Sequence, residues 1–534
     1  MRSLEALDAA GDRAGALRYA RAHEARLRAE FDLGVDPAVE AAIARLSQLP
    51  APRPRMQQPA PAIAVLPIVN LMPDRDNEYF ADGMTEELTD ALSHVPGLRV
   101  ASRVSALRFK GKEDDPRRIA EQLGVSALVC GTIRKVGNRI RMTAALVSGA
   151  DGCQLWSETY DRTLNDVFAL QEELAHAITA ALPLNPEAGA ARLVRAPTAA
   201  VDAYTLYLRG RYAVLQRTTG SLTLAAEYFE QAIERDPRYA LAQAGLAEAR
   251  VFQCFPEYGD DPPLEVMPKA KVAAMEALRL DPRLSEAHTW LGAVHFLFDW
   301  DWGAAEAEFL RALQLRPENA WAQTWYSIFL AAMGRHEESI RRMHYAVTLE
   351  PAAPAILLSV PRCYYFARKY EAALESLEEL WRAEPGRELT AIWLARTLAA
   401  LGRYGDALER MRLIPEAQRS RYGNSMVALA LAGAGRREEA LAVWQVPGQG
   451  NEARVDLGQL GLTSIPMYLC LGDQASALDL LDVWVDARSG GIAFLRAEPL
   501  FDGLRGHPRY EAVLARMAFP GLEPARAPAA RAAR

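Results

Sequence analysis

The side chains that could do chemistry in this chain are few, and their spacings rarely suit it. Phe109-Lys110-Gly111-Lys112 comes nearest to a phosphate-cradling loop. It lacks the preceding glycine and the following Ser or Thr of such loops, so it reads as a plain loop. His288 and His295 stand seven residues apart on one helix face, where chelation asks for about four, and no third ligand is placed. They read as core or surface histidines. Glu86, Glu87 and Asp90 sit together on one helix. Acid–base work would need them turned inward with shifted pKa values, and the solvated face of an amphipathic helix accounts for them better. The five cysteines (Cys130, Cys153, Cys254, Cys363 and Cys470) are odd in number, far apart and free of CxxC pairs. That speaks against a disulfide framework and against a zinc site. No GxxxxGK[ST], HExxH or GxSxG occurs. The chain reads as non-enzymatic, without cofactor or metal.

One cluster suggests contact rather than catalysis. Arg134, Lys135, Arg139 and Arg141 surround Gly137-Asn138, a two-residue hairpin turn whose residues tolerate positive φ. A basic hairpin can meet an acidic partner or nucleic acid, while edge strands also carry Lys and Arg merely to avoid pairing with other sheets. Both readings stand. The net charge of −7 argues against a general nucleic-acid surface. No apolar stretch reaches the roughly 18–20 residues that span a bilayer, and the first residues lack the apolar core of a secretory signal. A cytoplasmic protein off the membrane is expected.

These residues need elements to hold them. At 534 residues the chain exceeds what one core serves, so two to four domains are expected. Residues 1–49 read as a short helical segment and 50–61 as a Pro-rich tether. Residues 62–184 read as a small α/β domain with a mixed sheet. Ala62-Ile63-Ala64-Val65-Leu66 is apolar without alternation, as in a strand covered on both faces. Helices are expected at 78–95, 115–124 and 164–182, strands at 98–104 and 154–162, and a hairpin around Gly137. Residues 185–200 form a second linker, and the Pro/Ala/Arg-rich tail 519–534 is expected to be disordered.

Residues 201–518 are read as helical and repetitive. Pro282, Pro317, Pro351 and Pro385 follow at intervals of 35, 34 and 34 residues, each closing an apolar helical run. A turn residue followed five later by a small one recurs as Gly334/Ser339, Arg368/Ala373, Gly402/Ala407, Gly435/Ala440 and Gly472/Ala477. The first lets the chain reverse and the second lets helices approach. Such a unit cannot bury its apolar face alone and must stack on its neighbours. Two departures stand out. The interval Pro237–Pro282 is 45 residues, with an insertion at 253–263, and Pro361 falls inside a first helix, where a kink is expected. Asp299-Trp300-Asp301-Trp302 reads as a hairpin corner with tryptophan packed between units.

With Ala305, Phe309 and Ala312 in one unit and Ala225, Phe229 and Ala232 in another at the small–aromatic–small positions, the array resembles tetratricopeptide repeats. In that family the first helices line a groove that holds partners. The resemblance thereby implies that Glu248, Trp321, Arg362, Tyr365 and Phe366 face a groove for a protein or peptide, although these aromatics would also suit the seams between units. Residues 62–182, through AIAVLPIVNL, NEYFADGMTEELTDAL, VCGTIRKVGNRIRMTAALV and QLWSETYDR, resemble the TolB amino-terminal-like domain of bacterial regulators and some adenylate cyclases. Residues 4–46, with Gly34-Val35-Asp36-Pro37, resemble the second half of the bacterial transcriptional activator domain. That implies a regulator acting by protein–protein binding; a scaffold, or an accessory part of a nucleotide cyclase system, are the alternatives. The winged helix that precedes this domain in its family does not occur here, so either it lies upstream of Met1 or this form has lost DNA binding. No direct DNA contact is expected of the chain as it stands.

Overall fold

The computed structural model describes residues 61–72, 77–101, 103–112, 114–183, 198–255, 257–259, 261–351, 353–444 and 461–519. The expected helical segment 1–49, all but one residue of the tether 50–61, most of the linker 185–200 and residues 520–534 of the tail lie outside them.

The described residues open with a six-stranded sheet in the order β3-β1-β4-β5-β6, with β2 also paired to β4. Strand β1 (Ala62–Val65) runs parallel to β3 (Arg99–Val100) and to β4 (Ala127–Val136), as β2 (Val69–Asn70) does to β4. Strands β5 (Arg139–Ser148) and β6 (Gln154–Thr163) add antiparallel pairs, making the sheet mixed. All four residues of β1 are buried because both faces are covered. Ile63 and Val65 enter the main core, while Ala64 joins Leu128, Ile119, Ala120 and Phe109 on the other side.

The strand expected at 98–104 is shorter. β1 offers only a four-residue parallel partner, so pairing ends after Val100 and a short helix α2 (Arg103–Leu107) begins. Helix α1 (Glu78–Ser93) precedes β3. Helix α3 (Pro116–Leu123) is delimited as its sequence dictates: Asp115 accepts from the Arg117 N–H at 2.9 Å, Pro116 occupies the first turn, and Gly124 ends it in the left-handed region. Helix α4 (Val167–Ala181) covers the antiparallel half of the sheet.

Helical hairpins follow: α5 (Val201–Gln216) with α6 (Thr219–Arg235), α7 (Ala240–Gln253) with α8 (Pro263–Leu280), α9 (Ser285–Val294) with α10 (Trp302–Leu315), and α11 (Ala320–Ala332) with α12 (His336–Leu349). Then come α13 (Pro354–Phe366) with α14 (Tyr370–Ala383), α15 (Glu388–Ala400) with α16 (Tyr404–Arg412), α17 (Arg421–Gly433) with α18 (Arg437–Val443), and α19 (Gly461–Cys470) with α20 (Gln474–Asp486). Two 3-10 segments (Gly490–Phe494 and Pro499–Leu504) and α21 (Pro508–Arg516) close the array. It is a tetratricopeptide-like superhelix. Gly334, Gly402, Gly435, Gly472 and Arg368 all take positive φ, and the small residue five positions on is fully buried in every case. Arg368 bears the left-handed conformation (φ 60) without being glycine. Helix α13 runs through Pro361 without interruption.

The two helices of a hairpin differ in burial. In α11 all but Trp321 are buried, whereas α12 buries only Ser339, Met343 and Ala346. First helices therefore form an inner wall and second helices an outer one with a solvated stripe.

Candidate functional site

The inner wall is where the sequence placed a partner, and the structure fills much of it with the chain itself. At the start of the array the occupant is α1. Arg211 on α5 donates to Glu86 (3.1 Å) and to Glu248 on α7 (2.8 Å). Arg316, after α10, donates to Asp90 (2.7 Å) and to Glu286 on α9 (3.0 Å). The backbones come close: a Cβ on Gly83 would meet Leu208 at 2.6 Å. Glu86, Glu87 and Asp90 thus do not form the solvated face expected of them. They line the junction between the α/β domain and the array. Burial there, then the neighbouring Glu86 and Asp90 charges, push the Glu87 carboxyl up to about 8. Glu248, expected on the open groove, is buried and committed to Arg211; burial raises its pKa as well.

Further along, the insertion after α7 turns inward. Glu257 accepts from Arg362 on α13 (3.1 Å) and from the Trp393 indole on α15 (3.2 Å). Two guanidinium groups approach the Trp393 ring, Arg362 at 4.8 Å and Arg396 at 5.4 Å from its centroid. Arg396, fully buried, donates to Glu498 at 2.5 Å and to the Tyr422 hydroxyl at 3.2 Å. Tyr365 donates its hydroxyl to the same Glu498, and Phe366 stacks on Phe494 with centroids 5.0 Å apart. Trp321, partly buried, stacks under Arg217 (4.5 Å) beside Phe252. So Arg362, Tyr365 and Phe366, expected on an open wall, lie buried beneath Glu257, Phe494 and Glu498. The reason is that the insertion and the C-terminal segment supply the carboxylates and rings that this wall requires. A narrow cavity remains among Glu257, Arg362, Trp393, Arg396, Tyr422 and Phe494.

The C-terminal segment also returns to the corner at 299–302. Trp300 takes positive φ and stacks under Arg488 at 4.1 Å, and Asp301 caps α10. Trp302 donates its indole N–H to the Met517 carbonyl (2.9 Å) and stacks on Phe519 at 4.5 Å. Phe519, the first residue of the expected disordered tail, is buried here.

Arg139 and Arg141 lie on β5, paired on both sides, whereas Arg134 and Lys135 lie on the end of β4 past its pairing with β2, where only β5 flanks it, so the edge reading stays open for those two. Lys135 reaches Tyr79, donating to its hydroxyl at 3.1 Å. Arg139 pairs with Asp161 at 3.1 Å. Arg134 and Arg141 are exposed and directly opposite each other.

The remaining chemical candidates are occupied. Lys110 reaches both Glu78 and Asp82 at 2.7 Å, which commits the lysine nearest a phosphate-loop reading to carboxylates. His288 meets Glu308 at 2.5 Å and His295 meets Asp299 at 2.8 Å. Among the described residues no group of three His, Cys, Asp or Glu could hold a metal, and no helix is long and apolar enough to cross a membrane.

Residues 367–430 match the tetratricopeptide repeat family. "Putative adenylate cyclase 3" of Rhizobium meliloti is 37% identical over 241 residues, 45% of this chain and 41% of that protein. The transcriptional regulator HilA of Salmonella typhimurium is 24% identical over 180 residues, 34% of this chain and 32% of that protein. The chain thus spans about two-fifths or less of the curated relatives it matches. The solved structure of PilF from Pseudomonas aeruginosa is similar over 46% of this chain and 99% of its own, at 20% identity and a TM-score of 0.32.

Proposed function

We propose that this chain is a non-enzymatic bacterial regulatory protein, related to transcription, that acts by holding a protein partner on its tetratricopeptide array. The observation that carries this is the array itself: stacked hairpins with an inner wall of arginines and aromatics, the residue types that dominate protein-binding hot spots. In this reading the α/β domain (the TolB amino-terminal-like resemblance) is the sensing or docking part. Its junction with α5 and α7 through Arg211 couples its position to the array. In this reading the segment 4–46 belongs to a transcriptional-activator module, and the likeness to HilA favours a role related to transcription. A second reading, an accessory part of a nucleotide cyclase system, is favoured by the match to the cyclase relative. In both, binding takes place in the cytoplasm.

One experiment separates them. The gene is deleted in its own bacterium and complemented with the wild-type chain or with Arg211→Glu, and transcripts and cyclic AMP are measured. A discrete transcript set that changes on deletion, returns with the wild type and fails to return with Arg211→Glu, at constant cyclic AMP, is the expected result. A change in cyclic AMP favours the cyclase system. No change in either leaves a scaffold and sinks the regulatory reading.

A further inference from the structure

The insertion after α7 makes the Pro237–Pro282 interval 45 residues where the array otherwise uses 34 or 35. An insertion at a hairpin tip normally projects into solvent, where its backbone is easily satisfied. This one folds inward. Among the described residues its backbone N–H bonds are local: Tyr258 N–H to Phe255 O (2.8 Å), Gly259 N–H to Phe255 O (2.9 Å) and Asp261 N–H to Gln253 O (3.1 Å). What fastens it to the far wall is the Glu257 carboxylate, which reaches Arg362 and Trp393 across 105 and 136 residues of sequence. The rings beside it, Phe255 and Tyr258, rest on Trp325 and Arg217.

We propose that Arg362, Trp393 and Arg396 form the recognition site of the array, that its partner segment presents a glutamate flanked by aromatic residues, and that Phe255, Glu257 and Tyr258 of the insertion are a built-in stand-in for that segment. Three observations converge. The site sets two guanidinium groups 4.8 and 5.4 Å from the centre of one indole, a combination suited to a carboxylate with an adjacent ring. Among the described residues its charge is met only by Glu257 and Glu498, both delivered from elsewhere in the chain. The Nε–H donors of Arg362 and Arg396, both groups more than nine-tenths buried, have no hydrogen-bond partner among the described residues, so the wall has recognition capacity that the loop leaves unused. Among the described residues the one hydrogen bond that holds its backbone from outside is Tyr258 O accepting from the Thr219 hydroxyl at 3.4 Å, so little besides Glu257 and its neighbouring rings keeps it seated. While it is seated, only the small fraction of molecules with the loop lifted can bind, and apparent affinity falls by that fraction.

The proposal rests on reading the array as the partner-binding part. Its test uses the full chain and a fluorescent peptide of the chain's own residues 251–262, with serine in place of the cysteine. Glu257→Gln is expected to bind this probe about tenfold or more tightly than the wild type does. Glu257→Gln with Arg362→Ala, or a probe carrying glutamine for its glutamate, should lose that gain. Equal binding by wild type and Glu257→Gln, or none by a folded Glu257→Gln, overturns the proposal. If Glu257→Gln does not fold, amide exchange of 253–261 in the wild type decides: saturating probe should raise it and the glutamine probe should not, and unchanged exchange overturns it. Probe failure alongside a transcript set that still depends on Arg211 removes this site and leaves the regulatory reading; the reverse pattern removes the regulatory reading alone.

Discussion

Arg396 and Glu498 meet at 2.5 Å across 102 residues of sequence, with neither side chain exposed. A buried pair of this kind is weak evidence of net stability, because desolvation offsets most of the attraction. Breaking it is another matter, since the surviving charge has no solvent. Arg396→Met or Glu498→Leu alone should cost about 3–5 kcal/mol, and the two together much less than the sum of the singles. Chemical denaturation of the four proteins completes the cycle; additive losses would show that the two groups do not act as a pair.

The junction carries a pH signature. Glu87 has a folded-state pKa of about 8, above its ordinary value of 4.5. The folded state therefore holds this proton where the unfolded chain has released it, and stability falls as pH rises from roughly 4.5 to 8. Glu87→Gln should raise the melting temperature at pH 8 by the equivalent of about 1–2 kcal/mol, a half-buried site being partly screened, and change it little at pH 4.5. Parallel melting curves of wild type and variant across that range would contradict it.

Left-handed corners predict another pattern. Gly402→Ala, at φ 71 with open space around the added methyl, should cost about 1 kcal/mol from backbone strain alone. Ala407→Leu, at a fully buried contact between helices, should cost more, about 2–3 kcal/mol, by overpacking. The order of the two midpoints in urea checks this.

The C-terminal segment is held at the Trp302 corner. Trp302→Ala removes a stacked ring and an indole hydrogen bond and should cost about 3 kcal/mol. Trypsin should then cut at Arg516 early in a digest, whereas the wild type should be protected there.

Arg134 and Arg141 face each other as like charges. Arg134→Ser should leave the melting temperature unchanged or raise it slightly, by up to about 0.5 kcal/mol equivalent. A clear loss would mean that the pair braces the sheet.

What could be read from residue order was local. The period of the prolines, the Gly402/Ala407 pattern, the helix expected at 115–124 and the Gly137 turn each depend on a few neighbouring residues, and the structure has them. β3 came out shorter because the length of a strand depends on its partner, here only β1. Glu86 and Asp90 were read as solvated because an amphipathic pattern says which face is polar and nothing of what covers it. The first-helix position of Arg362 and Tyr365 follows from the repeat, but the covering of that wall by Glu257 and Glu498 depends on how far the superhelix winds before residues 105 or 133 apart meet. No periodicity in the sequence encodes that distance.

The contact of Phe519 with Trp302 ties the last turn of the array to its third hairpin. Arrays of this architecture ordinarily behave as soft springs whose coils separate gradually under tension. Here the coil is latched, so a pull on residues 300 and 519 meets a stiff element first. Extension would begin with one abrupt rupture and only then become compliant.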